Sequence, residues 1–118
     1  MNSYTVYITP RAWQEIKALP GHIRQRVKRA IEALADNPRP PRNKELDTPD
    51  LEWELHRLRL DRWRIVYAIT EDGKIVDVLT VRKRPPYDYG DLGQLLENAQ
   101  YHRRLVVGAR TRPWRSVL

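Results

Sequence analysis

Residues 63–82 read WRIVYAITEDGKIVDVLTVR, and this stretch decides the fold. In residues 63–70 apolar side chains alternate, which is the period of a β-strand with one face in a core. Residues 74–82 hold the most continuous apolar run of the chain, which is typical of a central strand. The Asp-Gly pair within residues 71–73 favours a hairpin turn. The stretch therefore predicts two antiparallel strands at the centre of a sheet.

The segment before this hairpin predicts a third strand, over residues 52–60. Its apolar side chains change parity, because Leu55 falls on one face whereas Leu58 and Leu60 fall on the other. A shift of one residue turns every following side chain to the opposite face. The pattern therefore predicts one of two arrangements. Either the strand has a β-bulge near His56-Arg57, or its first half is an edge segment whose side chains point to faces independently of the second half.

The N-terminal part of the chain predicts a strand and two helices. Residues 3–8 are β-branched and aromatic, as in a short strand. Thr9-Pro10 is typical of an N-cap and a first helical position, and Pro20-Gly21 ends the helix that follows. A second helix is predicted over His22–Asn37, so the two form a helical hairpin. Four prolines in residues 38–50 predict an irregular connector.

The resulting order, β-α-α-β-β-β, predicts an α+β fold with a two-helix hairpin on one face of a mainly antiparallel four-stranded sheet. Residues 91–107 predict a C-terminal helix. We therefore expect one domain over residues 1–90, followed by a helix and basic arm over residues 91–118. The helical and strand periodicities predict a core made of Val6, Trp13, Ile16, Val27, Ile31, Leu34, Ile65, Tyr67, Val76 and Val78.

Composition excludes several classes of protein. A chain of 118 residues suits one domain, and the absence of cysteine excludes disulfide scaffolds, cysteine-based metal clusters and thiol nucleophiles. No apolar run reaches the length of a membrane span, and residues 1–20 lack the apolar core of a signal peptide. We therefore expect a cytoplasmic protein with no metal, no cofactor and no membrane partner.

The net charge of +7 points to a polyanionic partner, but it is unevenly distributed. Residues 102–118 contain five arginines and no acid, so residues 1–101 carry only +2. Any binding of nucleic acid by the folded domain would therefore depend on a local patch of basic residues.

Such a patch is predicted where the strands end. Strand alternation can place Arg57 or Arg59 on one face with Arg64 and Arg84, as a basic surface suited to a phosphate backbone. The alternative is a set of solvated surface arginines. The basic residues at these strand ends are Arg57, Arg59, Arg62, Arg64, Arg82, Lys83 and Arg84.

Three other side chains near this surface could take part in chemistry. Tyr87 and Tyr89 follow the last strand and could stack on a base or exchange a proton, or could simply pack against the domain. A lone histidine such as His56 is more typical of a partly exposed surface residue.

The motifs resemble the RelE/ParE toxin superfamily. Residues 55–67 are similar to its Arg-Leu-Arg hairpin followed by an aromatic-Arg-x-x-Tyr strand, with Arg64 at the arginine position. Residues 81–84, with the downstream Tyr87 and Tyr89, are similar to its terminal basic motif and tyrosine. The resemblance covers residues 3–90.

This resemblance implies the toxin of a type II toxin–antitoxin system, a ribosome-dependent endonuclease that cleaves mRNA without a metal by attack of a 2′-hydroxyl group. Its implied partners are the ribosome, mRNA and a cognate RelB-like antitoxin. It implies that Arg64 and Arg84 stabilise the transition state and that Tyr89 stacks or transfers a proton. The implied RNA contacts are Lys44, Arg57, Arg59, Arg62, Lys83 and Tyr87.

Two alternatives remain open from the sequence. Leu55 and Arg57 stand where the ribosomal toxins carry lysines, and arginine is a poor base because it stays protonated. The general base is then Tyr89 or His56, or the chain is a ParE-like inhibitor of DNA gyrase without nuclease activity. A third possibility is a non-catalytic module that binds RNA or the ribosome through residues 102–118.

Overall fold

The computed structural model describes residues 4–46, 54–83 and 94–97. Residues 94–97 are helical and lie within the predicted C-terminal helix, while the rest of that helix and the basic arm lie outside the described residues. The elements in chain order are β1 (Thr5–Ile8), α1 (Pro10–Lys17), α2 (Gly21–Ala33), β2 (Asn43–Glu45), β3 (Glu54–Leu60), β4 (Trp63–Thr70) and β5 (Ile75–Lys83).

The strands form one sheet in the order β1-β5-β4-β3-β2. Strand β1 runs parallel to β5, and the remaining neighbours are antiparallel. The predicted α+β class and helical hairpin are therefore confirmed. The described part of the sheet has five strands rather than four.

The additional strand is β2, within the segment predicted to be irregular. It pairs antiparallel with β3, from Asn43 opposite Leu58 to Glu45 opposite His56. These three residues are free of proline, so their backbone can complete the ladder. Helix α2 also ends earlier than predicted, at Ala33, because the backbone N–H groups of residues 34–36 bond to carbonyls three residues back.

Helix α1 is fixed to the sheet at its first turn. The hydroxyl oxygen of Thr9 accepts a hydrogen bond from the Ala12 amide at 3.2 Å, which confirms the predicted N-cap. The same hydroxyl donates to the Leu79 carbonyl of β5. Further along, a carboxylate oxygen of Glu15 accepts from the Thr80 hydroxyl and the Val81 amide. Thr9 and helix α1 thus provide hydrogen-bond partners for the part of β5 that extends past its pairing with β1.

The main core lies between the helical hairpin and one sheet face, called the helix face here. Ile65, Tyr67 and Ile69 of β4 point to this side. All the residues predicted for the core are buried except Trp13, which is half-buried and packs at the margin. Its position on α1 leaves one side of the indole ring outside the core.

The opposite sheet face, called the arginine face here, is buried over part of its area. Leu95 and Leu96 from the helical residues 94–97 pack there against a second apolar cluster. The sheet residues of this cluster are Leu55, Val66, Ala68 and Leu79.

The change of parity in β3 follows from burial on both faces. Leu55 points to the arginine face and Leu58 to the helix face. Strand β3 pairs with β4 without interruption, so the predicted bulge near His56-Arg57 is wrong. On its other side, β2 pairs only with residues 56–58 of β3. The one register shift between β4 and β5 lies at Val66/Tyr67 instead.

The connector between α2 and β2 is held by a buried tyrosine and an ion network. The Tyr67 hydroxyl donates to the Pro38 carbonyl at 2.6 Å, and burial raises the pKa of Tyr67. The adjacent Arg39 guanidinium donates to both carboxylate oxygens of Glu54, at 2.8 and 2.9 Å, and to Glu71 at 2.7 Å. One arginine therefore joins the connector to β3 and to the β4–β5 loop.

This network predicts a loss of stability in acid. Hydrogen bonds from Arg39 lower the pKa of Glu54 and lower that of Glu71 to about 2. A carboxylate with a lowered pKa in the folded state stabilises it fully only above its ordinary pKa, and loses that contribution as the pH falls through the folded-state value. We expect Arg39→Gln to lower the urea midpoint at pH 7, and the difference from the parent protein to shrink between about pH 4.5 and 2.

The control for this series is Arg29→Gln, which removes a charge from an exposed position on α2. Its urea midpoint should follow that of the parent at each pH. A difference between Arg39→Gln and the parent that stays constant down to pH 2 would show that the network does not titrate as described.

A second stability prediction concerns α1. Ile16 is fully buried, so Ile16→Ala should lower the free energy of unfolding by about 2–5 kcal/mol. Trp13→Ala should cost less although the indole is larger, because that ring is half-buried. Urea unfolding of the two variants measures both values, and a larger loss for Trp13→Ala would contradict this packing of α1.

Candidate nucleic-acid interface

Arginines from adjacent strands line up across the arginine face. Arg59 of β3 lies opposite Arg64 of β4, which lies opposite Arg82 of β5. Arg42 precedes β2, and its carbonyl accepts from the Arg59 amide at 3.3 Å, so it extends the line by one position. Directly paired residues of neighbouring strands point to the same side of a sheet. These four residues, Arg42, Arg59, Arg64 and Arg82, are called the arginine row here.

Arg64 is the most buried member of the row, with 3% of its surface exposed. Its Nη1 atom donates to the carbonyl oxygens of Asp61 and Trp63, each at 2.9 Å. Asp61 begins the two-residue β3–β4 loop with a φ of 54°. The guanidinium is therefore fixed against the loop backbone, which orients it before any ligand binds.

A cavity of about 400 Å³ opens beside this loop, lined by Arg42, Arg59, Asp61 and Arg64. The single carboxylate among them, that of Asp61, forms an ion pair with Arg26 of α2. Arg26 lowers the pKa of Asp61, and Arg42 and Arg59 lower it further. Because the only acid in the cavity lining is ion-paired with a residue outside that lining, the cavity presents a positive surface that suits a phosphate group.

The other predicted RNA contacts divide between the two faces. Arg57 pairs with Val66 and Lys44 pairs with Arg57, so both lie on the arginine face. Lys83 pairs with Trp63, which packs against the main core, so Lys83 lies on the side of the helix face. Arg62 is exposed in the β3–β4 loop. The predicted site residues Arg84, Tyr87 and Tyr89 lie outside the described residues.

His56 does not lie on the arginine face. It pairs with Tyr67, and the two rings stack with their centroids 5.7 Å apart. His56 is 3% exposed, with Nε2 2.7 Å from a Glu54 carboxylate oxygen and Nδ1 2.5 Å from the Asn43 side-chain oxygen. The expectation of a partly exposed histidine is therefore wrong, because cross-strand pairing turns the ring into the helix face.

Sequence reasoning missed two members of the row. Arg82 is one of the basic residues at the strand ends, but no motif in the sequence marks it as a site residue. Arg42 was assigned to an irregular connector, so its alignment with Arg59 could not be foreseen. The available signal was the proline-free Arg42–Glu45 segment, which is long enough to add an edge strand.

The described residues contain neither a helix long and apolar enough to cross a membrane nor a group of three or more His, Asp or Glu side chains that could hold a metal ion.

One known protein is similar to this chain in sequence, and chains of two solved complexes are similar to it in sequence and fold. The toxin RelE1 of Methanocaldococcus jannaschii is 26% identical over 81 residues, which cover 69% of this chain and 90% of that protein. The toxin-antitoxin complex RelBE2 from Mycobacterium tuberculosis contains a chain that is 26% identical, with a TM-score of 0.59 and coverage of 69% and 98% of the two chains. In the intact E. coli RelBE complex the identity is 27%, the TM-score 0.56 and the coverage 70% and 98%.

These likenesses, together with the helical hairpin and the basic sheet face, define a toxin of a type II toxin–antitoxin system. The sequence profile described as ParE toxin of type II toxin-antitoxin system, parDE, matches residues 6–85, so the chain belongs to the ParE toxin family within the RelE/ParE superfamily.

Proposed function

We propose that this toxin is a ribosome-dependent mRNA endonuclease acting in the cytoplasm. In this reaction a 2′-hydroxyl group attacks the adjacent phosphorus, the bond to the 5′-oxygen breaks, and the products carry a 2′,3′-cyclic phosphate and a 5′-hydroxyl. The observation that carries the proposal is the arginine row, in which Arg64 is oriented in advance by two backbone carbonyls.

The proposed roles follow from charge. Negative charge grows on the phosphoryl oxygens as the 2′-oxygen attacks, and fixed N–H donors stabilise that charge more in the transition state than in the ground state. We assign this role to Arg64 and Arg84, with Arg57, Arg59 and Lys44 as RNA contacts on the same face as Arg64. Exposed Arg62 and Lys83, with Tyr87, are assigned contacts at the margin of the site.

The general base in this proposal is Tyr89. The sequence left Tyr89 and His56 as candidates, and His56 faces the helix side with both ring nitrogens beside side-chain oxygens. A general base must lie within hydrogen-bond reach of the proton that it removes. A histidine on the opposite side of the sheet does not meet this requirement.

The proposed partner that silences the toxin is a cognate RelB-like antitoxin. The related chains from M. tuberculosis and E. coli were solved as RelBE complexes. A basic face of this kind is best covered by a segment with acidic side chains. We place the toxin domain in residues 1–90, in agreement with the family match over residues 6–85.

A second candidate function is inhibition of DNA gyrase by binding. It is favoured by the match to the ParE toxin family. Leu55 and Arg57 also favour it, because the resemblance noted from the sequence implies lysines at these two positions in ribosomal toxins. Arg57 cannot act as a base at neutral pH. A gyrase inhibitor would need the arginine face for contact only.

One experiment separates these functions. The full chain, released from its antitoxin, is added to programmed ribosomes, and mRNA ends are mapped by primer extension. The proposal expects new 5′ ends within the A-site codon that require phosphorylation before ligation. Intact mRNA together with loss of gyrase supercoiling would favour the second function. Activity that is retained in Arg64→Ala but lost on deletion of residues 102–118 would favour a non-catalytic binding module.

A further inference from the structure

At the outer end of the arginine row, Arg42 has no role in the reaction as proposed, and Arg59 is only a general RNA contact. Arg42 and Arg59 are both exposed and line the cavity beside the β3–β4 loop. Their side chains form no hydrogen bond or ion pair with any residue that the structure describes. By contrast, Arg64 in the same cavity is buried and bonded to the loop.

This end of the row places guanidinium groups on directly opposite positions of neighbouring strands. Like charges directly opposite each other on neighbouring strands destabilise a sheet. The Asp61 carboxylate attracts Arg42 and Arg59 and so relieves part of the repulsion, but its ion pair is with Arg26. An anion in the cavity would remove the repulsion and could accept bidentate hydrogen bonds from the guanidinium groups.

The row is also too long for one phosphate. Adjacent strands lie about 4.8 Å apart, so a row across four strand positions spans roughly 14 Å. A phosphate oxygen must come within about 3 Å of the nitrogen that donates to it. The transition-state role is assigned to Arg64, within the row, and to Arg84, two residues after Arg82 in the sequence. Arg42 lies at the end of the row farthest from Arg82.

We propose that Arg42 and Arg59 form a second phosphate site, which binds the backbone phosphate of a nucleotide flanking the cleaved bond. The proposal rests on the proposed function for its substrate, an RNA strand. Arg42 is then a positioning residue, because it fixes the strand without touching the reacting atoms. Binding energy at a non-reacting phosphate aligns the scissile group.

An acidic antitoxin segment is the other ligand with suitable charge, and the cavity favours RNA. Protein interfaces depend on buried aromatic or aliphatic anchors near their centre. All four residues that line this cavity are charged, so a protein segment would find no anchor there.

The test uses the full chain and an RNA hexanucleotide with 2′-O-methyl groups throughout, which cannot be cleaved by 2′ attack. Affinity is measured by fluorescence polarisation over a series of salt concentrations. Arg42→Gln should weaken binding about 5-fold at low salt and reduce the slope of log affinity against log salt by about 0.7, the value for one lost contact to a single strand. Arg29→Gln makes the same change of charge on α2. It should change the affinity and the slope by only a small fraction of the effects of Arg42→Gln.

Equal losses of RNA affinity in Arg42→Gln and Arg29→Gln would overturn the proposed phosphate site, because binding would then depend only on the overall charge of the protein. The proposal would also be overturned if Arg42→Gln bound the antitoxin more weakly but bound RNA with unchanged affinity. The urea midpoint of Arg42→Gln should equal or exceed that of the parent, because a repulsion is removed, and a lower midpoint would mark Arg42 as structural and overturn the proposal. The parent protein could fail to cleave mRNA while Arg42→Gln still reduces the salt dependence of RNA binding. That result would refute the proposed nuclease function but support the second phosphate site.

Discussion

Arg64→Ala and Arg84→Ala are each expected to slow single-turnover cleavage of ribosome-bound mRNA about 100-fold or more. The extra negative charge of the pentacoordinate phosphorus needs fixed donors, and loss of one preorganised donor typically raises a barrier by about 2.7–4 kcal/mol. Rates are measured with ribosomes in excess, so that substrate binding does not limit them. Arg29→Ala, which removes the same charge from an exposed position on α2, should cleave at the parental rate.

Burial of Arg64 calls for an additional variant. Arg64→Ala leaves the carbonyl oxygens of Asp61 and Trp63 without their donor, so its urea midpoint should fall as well as its activity. Arg64→Lys keeps a cation near these carbonyls but loses the planar fork of donors. We expect Arg64→Lys to recover most of the stability while cleavage stays slow. Parental rates in both Arg64→Ala and Arg84→Ala would refute the assignment.

Tyr89→Phe is expected to lower the same cleavage rate by about 100-fold, the lower end of the usual contribution of a general acid or base. Phenylalanine keeps the aromatic ring and removes the hydroxyl, so stacking is retained and proton transfer is lost. The comparison is Tyr7→Phe, which removes the same hydroxyl group from strand β1, outside the proposed site, and should leave the rate close to that of the parent. Near-normal cleavage by Tyr89→Phe would restrict Tyr89 to stacking and leave the reaction without an assigned base.

The helices and the β4–β5 hairpin could be predicted because their signals are local. Thr9 and Pro10 encode the start of α1 within a few residues. The Asp-Gly pair likewise encodes the β4–β5 loop, where Gly73 adopts a φ of 87°. Neither feature depends on distant parts of the chain.

The errors in the predicted fold arise from contacts distant in sequence. Strand β2 has only three residues and little intrinsic preference, and it exists because β3 offers an edge. In a strand with one buried face, the parity change in β3 would require a bulge. Leu95 and Leu96 bury part of the second face, so leucines of both parities fit a regular strand.

For the candidate interface, the sequence predicted which arginines share a sheet face better than it predicted how they align across the strands. Strand alternation predicts Arg57 or Arg59 on one face with Arg64 and Arg84, of which Arg84 lies outside the described residues. The structure places both Arg57 and Arg59 on the face of Arg64. The alignment of Arg42 and Arg82 with them depends on the register between strands, which a single sequence does not specify. His56 was misplaced for a similar reason, because its burial depends on Tyr67 across the ladder.

The parallel pairing of β1 with β5 determines the order in which this toxin can assemble. Thr5 lies opposite Ile75, so the first strand must wait for a partner seventy residues away in the chain. Contacts of such long range close a large loop, and they form late because the entropy lost is not offset until other structure exists. During synthesis β1 remains without its partner until β5 has left the ribosome. A nascent toxin therefore completes its sheet, and with it the arginine row, only after most of the chain has been made.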